Sequence, residues 1–402
     1  LVIVKEAEDA AYFQNSLQNI TGTLEILYFP SSFKNKKNFS QVNSSHIMLR
    51  TEALTKIASG GNKKILVTHA DALFEKVVLS NTLFENTIHI QQAEELDIDA
   101  LLEKFVDYGF EKTDFVYEPG QFAIRGGIVD IYSFGNEKPY RIELFGKEVD
   151  SIRIFNPETQ LSERKLLQVN IIPNIDTQFE ATEKVSLLEF LPSNTVLWIE
   201  DWAYVKERLE QMEEELDVFL LGVSHEPFDQ NNIPETFEVK KEQPASKGDF
   251  ISARLLEQQL IQKHIIEFGK KTSFNGSAQK ILFNTAPQPA FNRNFSMLIK
   301  DLQKKEKNQY NIFIFADQAR QLERLHSIFS DLKAELQITP IPVSIHEGFV
   351  DHALKLVCYT DHQIFQRYHK YKVKQAFNKN KALTLKTLRE LQPGDYITHI
   401  DH

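Results

Sequence analysis

Arginines and a phenylalanine placed where a small sheet should be wet are the residues of this chain with the most pointed chemistry. In "EPGQFAIRGGIVDIYSFGNEKPYRIELFGKEVDSIRIF", residues 118–155, Phe122 shares a side with Ile124, Val129 with Ile131, and Ile142 with Leu144. That period of two is the mark of short strands with one buried face. Gly146-Lys147 suits a tight hairpin turn. The same alternation sends Arg125 from one strand, and Arg141, Glu143 and Phe145 from another, to the opposite face. Guanidinium groups give bidentate charged contacts and an exposed ring gives a desolvated anchor, the pairing found at the centres of protein interfaces. The plainer alternative is that these charges only solubilise a small sheet.

Other chemistry is thinner. A nucleotide site needs a phosphate cradle of the form G-x-x-x-x-G-K-[ST], and no such string occurs; "SGGNKKIL" (59–66) lacks the spacing and the hydroxyl and leads into a strand. His346-Glu347, Asp351-His352, Asp361-His362, His399, Asp401 and His402 gather towards the C-terminal end. Adjacent pairs on a strand point to opposite faces, so each supplies one metal ligand at best, and no metal site is expected. Cys358 lies in the apolar "LKLVCYT" and reads as a buried, inert thiol. The run "IFQRYHKYK" (364–372) interleaves aromatic and basic residues, as single-strand nucleic-acid binding requires. Helical spacing accounts for it as well, with Ile364, Tyr368 and Tyr371 on one face.

The elements that hold these residues belong to several units, because 402 residues exceed what one core usually serves. Before residue 88, "EILYFP" and "KILV" read as strands and "MLRTEALTKIAS" as a helix, the latter strand running on into a helix through "THADALFEKVV" that Asp71 is placed to cap. "DIDALLEKFVDYG" is a helix with Gly109 to end it, and "TVLWIEDWAYVKERLEQMEEEL" (195–216) is a strand entering a long charged helix. Residues 222–250 read as loop and 370–386, rich in Lys, as linker. Between them, helix "FSMLIKDLQKKEKN", strand "NIFIFA", helix "DQARQLERLHSIFSDLKAEL" and strand "LKLVCYT" make a small α/β unit. A single cysteine excludes an internal disulfide framework and suits a reducing, cytoplasmic setting. A net charge of -10 argues against a whole surface made for nucleic acid. No apolar run is long enough to cross a membrane. The start at Leu1 and the stop at "GDYITHIDH" suggest a piece of a longer protein.

The stretch opened above, with its continuation "NPETQLS", resembles the UvrB-like domain 2 shared by the excision-repair protein UvrB and the transcription-repair coupling factor (Mfd) family. The residues that carry the resemblance are Gly120, Phe122, Arg125-Gly126, Asp130, Arg141, Glu143, Phe145, Glu148 and Asp150. "FVDHALKLVCYTDHQIFQRYHK" is similar to the third domain of the coupling factors, and "LKTLRELQPGDYITHIDH" to the opening of their RNA-polymerase-interacting domain. UvrB has neither, so the resemblance points to an N-terminal portion of a coupling factor.

The resemblance implies a multidomain α/β protein. A degenerate RecA-like α/β domain is built from two chain segments, 1–88 (domain 1a) and 179–290 (domain 1b). A mixed α+β UvrB-like domain 2, 89–178, is inserted between them. A small separate α/β domain covers 291–375, and 376–402 hold a linker and the start of the polymerase-interacting domain, near residue 388. It also implies a scaffold that recruits UvrA, with Arg125, Arg141 and Phe145 as contact residues and Glu143 and Arg153 beside them. Leu161 stands where relatives often carry Arg, with Arg164 close by. No cofactor is implied for this stretch, ATP and Mg belonging to a translocase further along the parent. DNA contact and a masking domain are implied there too. A UvrB-type DNA-repair helicase fragment that binds DNA directly is the competing reading.

Overall fold

The computed structural model describes residues 1–35, 38–61, 63–175, 179, 183–223, 246–274 and 279–369. Val2–Val4 lies near the middle of a five-stranded sheet, ordered His264–Phe268, Val196–Glu200, Val2–Val4, Lys64–His69, Glu25–Phe29. Every neighbouring pair is parallel. Parallel strands need crossovers and cover on their faces, and the strands supply it by alternation. Ile3, Leu27, Leu66, Leu197 and Ile199 point into a core shared with Trp202, Leu209 and Leu256. Val2, Val4, Tyr28 and Val67 point the other way, onto Ala10 and Ala11 of the helix Ala7–Thr21. The helix Ser44–Ala58 begins where the Asn43 side chain accepts from the amides of Ser45 and His46.

One expected helix is cut short. After the strand Lys64–His69 only Ala70–Leu73 is helical, and Val77–Val78 pairs with Lys184–Val185 as a strand. Asp71 does not cap; it sits inside that turn and takes the Arg208 guanidinium at 2.8 Å. A buried carboxylate beside a helix that carries an arginine is better satisfied by charge than by two backbone amides.

Between the two halves of the parallel sheet the chain builds a six-stranded one, ordered Ser162–Leu166, Glu148–Phe155, Tyr140–Phe145, Ile128–Ile131, Gln121–Arg125, Glu111–Lys112. Its pairs are antiparallel except the outermost, Glu111–Lys112 on Gln121–Arg125. The expected apolar positions line one core. Phe122, Val129, Ile131, Ile142 and Ile152 pack there with Leu101 and Phe105 of the helix Ile98–Asp107, which ends at Gly109 with φ +75. The turn at Gly126-Gly127 needs both glycines: Gly126 has φ +59, and a Cβ on Gly127 would stand 2.9 Å from the Leu144 carbonyl oxygen.

A third sheet is mixed: Thr285–Pro287, Phe349–Asp351, Leu356–Thr360, Asn311–Phe315, Thr339–Ile341. The helices Phe295–Lys307 and Ala319–Asp331, the second shorter at both ends than its sequence pattern, close its core through Leu298, Leu302, Leu322, Leu325 and Phe329. The chain is therefore mixed α/β with several sheets. Among the described residues no helix is long and apolar enough to cross a membrane.

Ile142 is fully buried, at 0% exposure, on the core side of the Tyr140–Phe145 strand. Ile142→Ala should therefore destabilise the six-stranded unit by about 2–5 kcal/mol through the cavity it leaves. Urea unfolding measures it, and a loss below about 1 kcal/mol would mean that this side of the strand is not the core.

Candidate functional site

The outer face of the six-stranded sheet is organised around a carboxylate. Asp130 stands on the strand Ile128–Ile131, opposite Arg141 on one neighbour and Ala123 on the other, and is completely buried at 0% exposure. Arg141 grips it with both edges of its fork, Nε to Oδ1 at 2.7 Å and Nη2 to Oδ2 at 2.9 Å. Arg125 Nη2 donates to the same Oδ2. Each arginine is then fixed from behind: Arg141 Nη1 donates to the Gln160 carbonyl at 3.1 Å, and Arg125 Nη1 to the Asp114 carbonyl at 2.7 Å. Their planes lie over rings, Arg141 at 4.5 Å from the Phe155 centroid and Arg125 at 4.9 Å from Phe115. Donating to the Asp130 carboxylate raises the Arg141 pKa further above its usual value. Two cations on one anion leave a positive surface.

This face is less wet than the alternation alone implies. Val116, Ala123, Tyr132 and Phe155 form a small buried cluster on it, so the arginines lie against apolar carbon. Farther along, Arg153 pairs with Glu143 at 3.1 Å, and Glu143 also accepts from Ser151 Oγ at 2.7 Å. A register shift in the hairpin follows: Glu143 faces Ser151 but Leu144 faces Val149, which leaves Asp150 as the extra residue of a bulge. Beyond the bulge Phe145 faces Glu148 at the end of the hairpin, 84% exposed. Leu161, at 68%, and Phe115, at 48%, are further exposed apolar side chains of this unit.

All five residues singled out from the sequence thus lie on the outer face, in different postures. Phe145 projects freely. Arg125 and Arg153 are partly exposed, with 35% and 31% of their side chains accessible. Arg141 is a strut, with three nitrogens bonded inside the chain and 15% accessible. Sequence reasoning missed the part played by Asp130. Its signal was present: an acid between Val129 and Ile131 must point outward, next to whatever Arg141 and Arg125 bring.

The histidines assemble elsewhere than expected. Asp361 and His362 open the short helix Asp361–Ile364 rather than lying on a strand. His362 stacks on His369 at 4.4 Å, and His346 stacks on Tyr12 of the helix Ala7–Thr21 at 3.6 Å. His369 also meets Ser344 Oγ at 2.6 Å and accepts the Tyr12 hydroxyl on its carbonyl at 2.7 Å. These rings join the first and third sheets' units. Among the described residues no group of three or more His, Cys, Asp or Glu is arranged to hold a metal. The run from 364 is not one helix: Ile364 is buried, Tyr368 is 71% exposed past the helix end, and Tyr371 lies outside the described residues. The stretch near 388, His399, Asp401 and His402 lie outside them too. Cys358 is buried, and burial raises its thiol pKa.

With this geometry in place, comparison with known sequences gives two findings: residues 88–176 match the family described as the UvrB interaction domain. Over nearly the whole chain the similarity is to transcription-repair-coupling factors. That of Bacillus subtilis is 24% identical across 97% of this chain and 38% of its own length. That of Borreliella burgdorferi is 25% identical across 100% and 37%, and that of Staphylococcus epidermidis 22% across 100% and 39%. The chain thus spans under two fifths of the length of these curated relatives. The resemblance read from its residues stands.

Arg141→Ala would leave Asp130 buried with one cation in place of two, and should cost about 3–5 kcal/mol of stability. Arg153→Ala breaks a half-exposed pair and should cost no more than about 1 kcal/mol. Urea unfolding of the two variants separates strut from surface. The histidine seam gives a pH dependence. Burial, reinforced by the charge of His369, holds His362 down at about 4 against an ordinary 6.5. The unfolded chain therefore takes up its proton first as pH falls, so this contribution is full above about 6.5 and is lost towards 4. The hydrogen bond to the His346 carbonyl favours the charged form, the His346 ring and Arg367 disfavour it, and Asp317 favours it on His369. The melting temperature should fall more over that interval in the parent chain than in His362→Gln.

Proposed function

We propose that this chain is the UvrA-recruiting part of a transcription-repair coupling factor, a scaffold that links stalled RNA polymerase to nucleotide excision repair in the cytoplasm. The observation that carries the reading is Phe145, a large aromatic side chain 84% exposed at the end of a hairpin inside the stretch that matches the UvrB interaction domain. Nothing in the chain's own stability accounts for it there. On the same face Arg125 and Arg153 are partly exposed, and Arg141, clamped to Asp130, keeps the sheet's surface in one shape. A partner carboxylate meeting such pre-placed guanidinium groups loses little entropy in binding. RNA polymerase is assigned to the stretch beginning near residue 388, and DNA to the remainder of a parent that would mask the UvrA face.

We assign no catalysis to this stretch, and the parallel sheet is read as a degenerate RecA-like domain made of the 1–88 and 179–290 segments. What supports this is the turn after its inner strand. Only Lys5 and Glu6 separate Val4 from the helix at Ala7, with no glycine to let a backbone approach a phosphate. The first turn of that helix carries Glu8 and Asp9, and desolvation, followed by the charge of Glu200, raises the Asp9 pKa. A helix N-terminus normally welcomes an anion. Here the carboxylates already occupy that field.

Two measurements test the proposal. Phe145→Ala should melt with the parent chain yet weaken binding of purified UvrA by about 2 kcal/mol or more in calorimetric titration. Unchanged affinity at full folding would remove Phe145 from the interface. Measurable ATP hydrolysis by the purified chain would favour the UvrB-type helicase reading instead.

A further inference from the structure

The third unit holds a cavity that the reading above does not use. About 300 Å³ in volume, it is lined by Arg293, Phe295, Arg324, Ile328, Phe365 and Arg367. We propose that it docks a short acidic segment of another protein, one apolar side chain entering between Phe295, Ile328 and Phe365 while flanking carboxylates meet Arg293 and Arg324.

The floor is apolar and closed. Phe295 meets Phe365 edge to face at 5.4 Å, and Phe365 is only 8% exposed. The arginines differ in what remains to them. Arg367 is paired with the buried carboxylate of Asp361, so its charge is already answered. Arg293 gives only Nε, to the Phe365 carbonyl at 2.8 Å, and keeps its two terminal nitrogens. Arg324 lies 5.2 Å over the Phe365 ring and has no hydrogen-bond or ion-pair partner among the described residues. Two unanswered cations beside an apolar hole form a surface whose complement is an anion with an apolar core.

The backbone is strained at this spot. Asn292, Arg293 and Gln366 have φ of +51, +61 and +52, a region that side chains other than glycine rarely occupy. Hydrogen bonds between the two loops hold them there: Gln366 Nε2 donates to Asn292 Oδ1 at 2.6 Å, and the Arg293 amide to the Ile364 carbonyl at 3.3 Å. Strain maintained by ties of this kind is a feature of ligand clamps. It places Arg293 at the cavity rim.

A nucleotide fits the cavity less well than a peptide. The floor has no donor or acceptor for a base edge, which would be buried unpaired. Arg324 and Arg367 already lie over Phe365, at 5.2 and 5.0 Å, so a base stacking on that ring would compete with them. The chain's net charge of -10 also repels a long polyanion more than a segment with two or three carboxylates.

The test is selection of random peptides displayed on phage against the immobilised 402-residue chain, followed by fluorescence-anisotropy titration of the selected peptides. The proposal requires a consensus with Asp or Glu flanking Leu, Ile or Phe. It also requires that Arg324→Glu, which breaks no hydrogen bond or ion pair among the described residues, weakens those peptides at least roughly tenfold while melting like the parent. Arg293→Gln should weaken them less. Peptides without acidic residues, affinities indifferent to Arg324→Glu, or no enrichment would overturn it. So would a fluorescent single-stranded oligonucleotide that binds the chain and is released by Arg324→Glu, since the ligand would then be nucleic acid.

Discussion

A carboxylate with no access to water holds the outer face of the inserted sheet in its shape. Burying Asp130 alone would be prohibitive. It is tolerated because three donor nitrogens from Arg125 and Arg141 converge on its two oxygens. Such a triad is no efficient route to stability, since apolar residues of similar size often do as well or better. Its consequence is geometric. Two long, flexible side chains from different strands are pinned to one point, and each has a further nitrogen tied to a loop carbonyl. The positive surface of this face is therefore fixed by the chain itself.

The same constraint explains how the face tolerates apolar groups. Phe155 and Phe115 serve as platforms under the guanidinium planes, and the bulge at Asp150 lets the hairpin go on past the ion pairs to present Phe145. Elsewhere in the chain buried charge is used for attachment rather than recognition. Arg208 on the long helix Trp202–Val223 reaches Asp71, a tie that joins segments from before and after the inserted sheet, and Lys184 reaches Asp249 at 2.8 Å within the segment that follows it. The parallel sheet is in this sense an anchor. Its Val2–Val4 strand pairs with Lys64–His69 on one side and Val196–Glu200 on the other, so the insertion leaves and returns on a fixed base.

Much of this was legible in the residues. Period-two apolar positions located the strands around Phe122, Val129 and Ile142 and their core side, because a one-residue slip would expose all of them. Gly109 and Gly146 marked the helix end and the hairpin turn, as their positive φ values confirm. What the pattern could not give was pairing at a distance. Asp71 looked like a cap because its partner, Arg208, is far along the chain. The helix after Lys64–His69 looked longer because a two-residue strand such as Val77–Val78 has no period of its own and exists only through Lys184–Val185. The histidine stack was invisible for the same reason, since Tyr12 and His346 become neighbours only in the folded chain.

The proposed UvrA site is the outer face of the inserted sheet, with Phe145 at its edge. Hydrogen–deuterium exchange of the chain with and without UvrA addresses it most directly. Binding at this face requires new protection along Tyr140–Phe145, Glu148–Phe155 and the turn between them, with little change in the five-stranded sheet or in 285–369. Protection confined to the parallel sheet or the third unit, with the 140–155 hairpin unchanged, would contradict it.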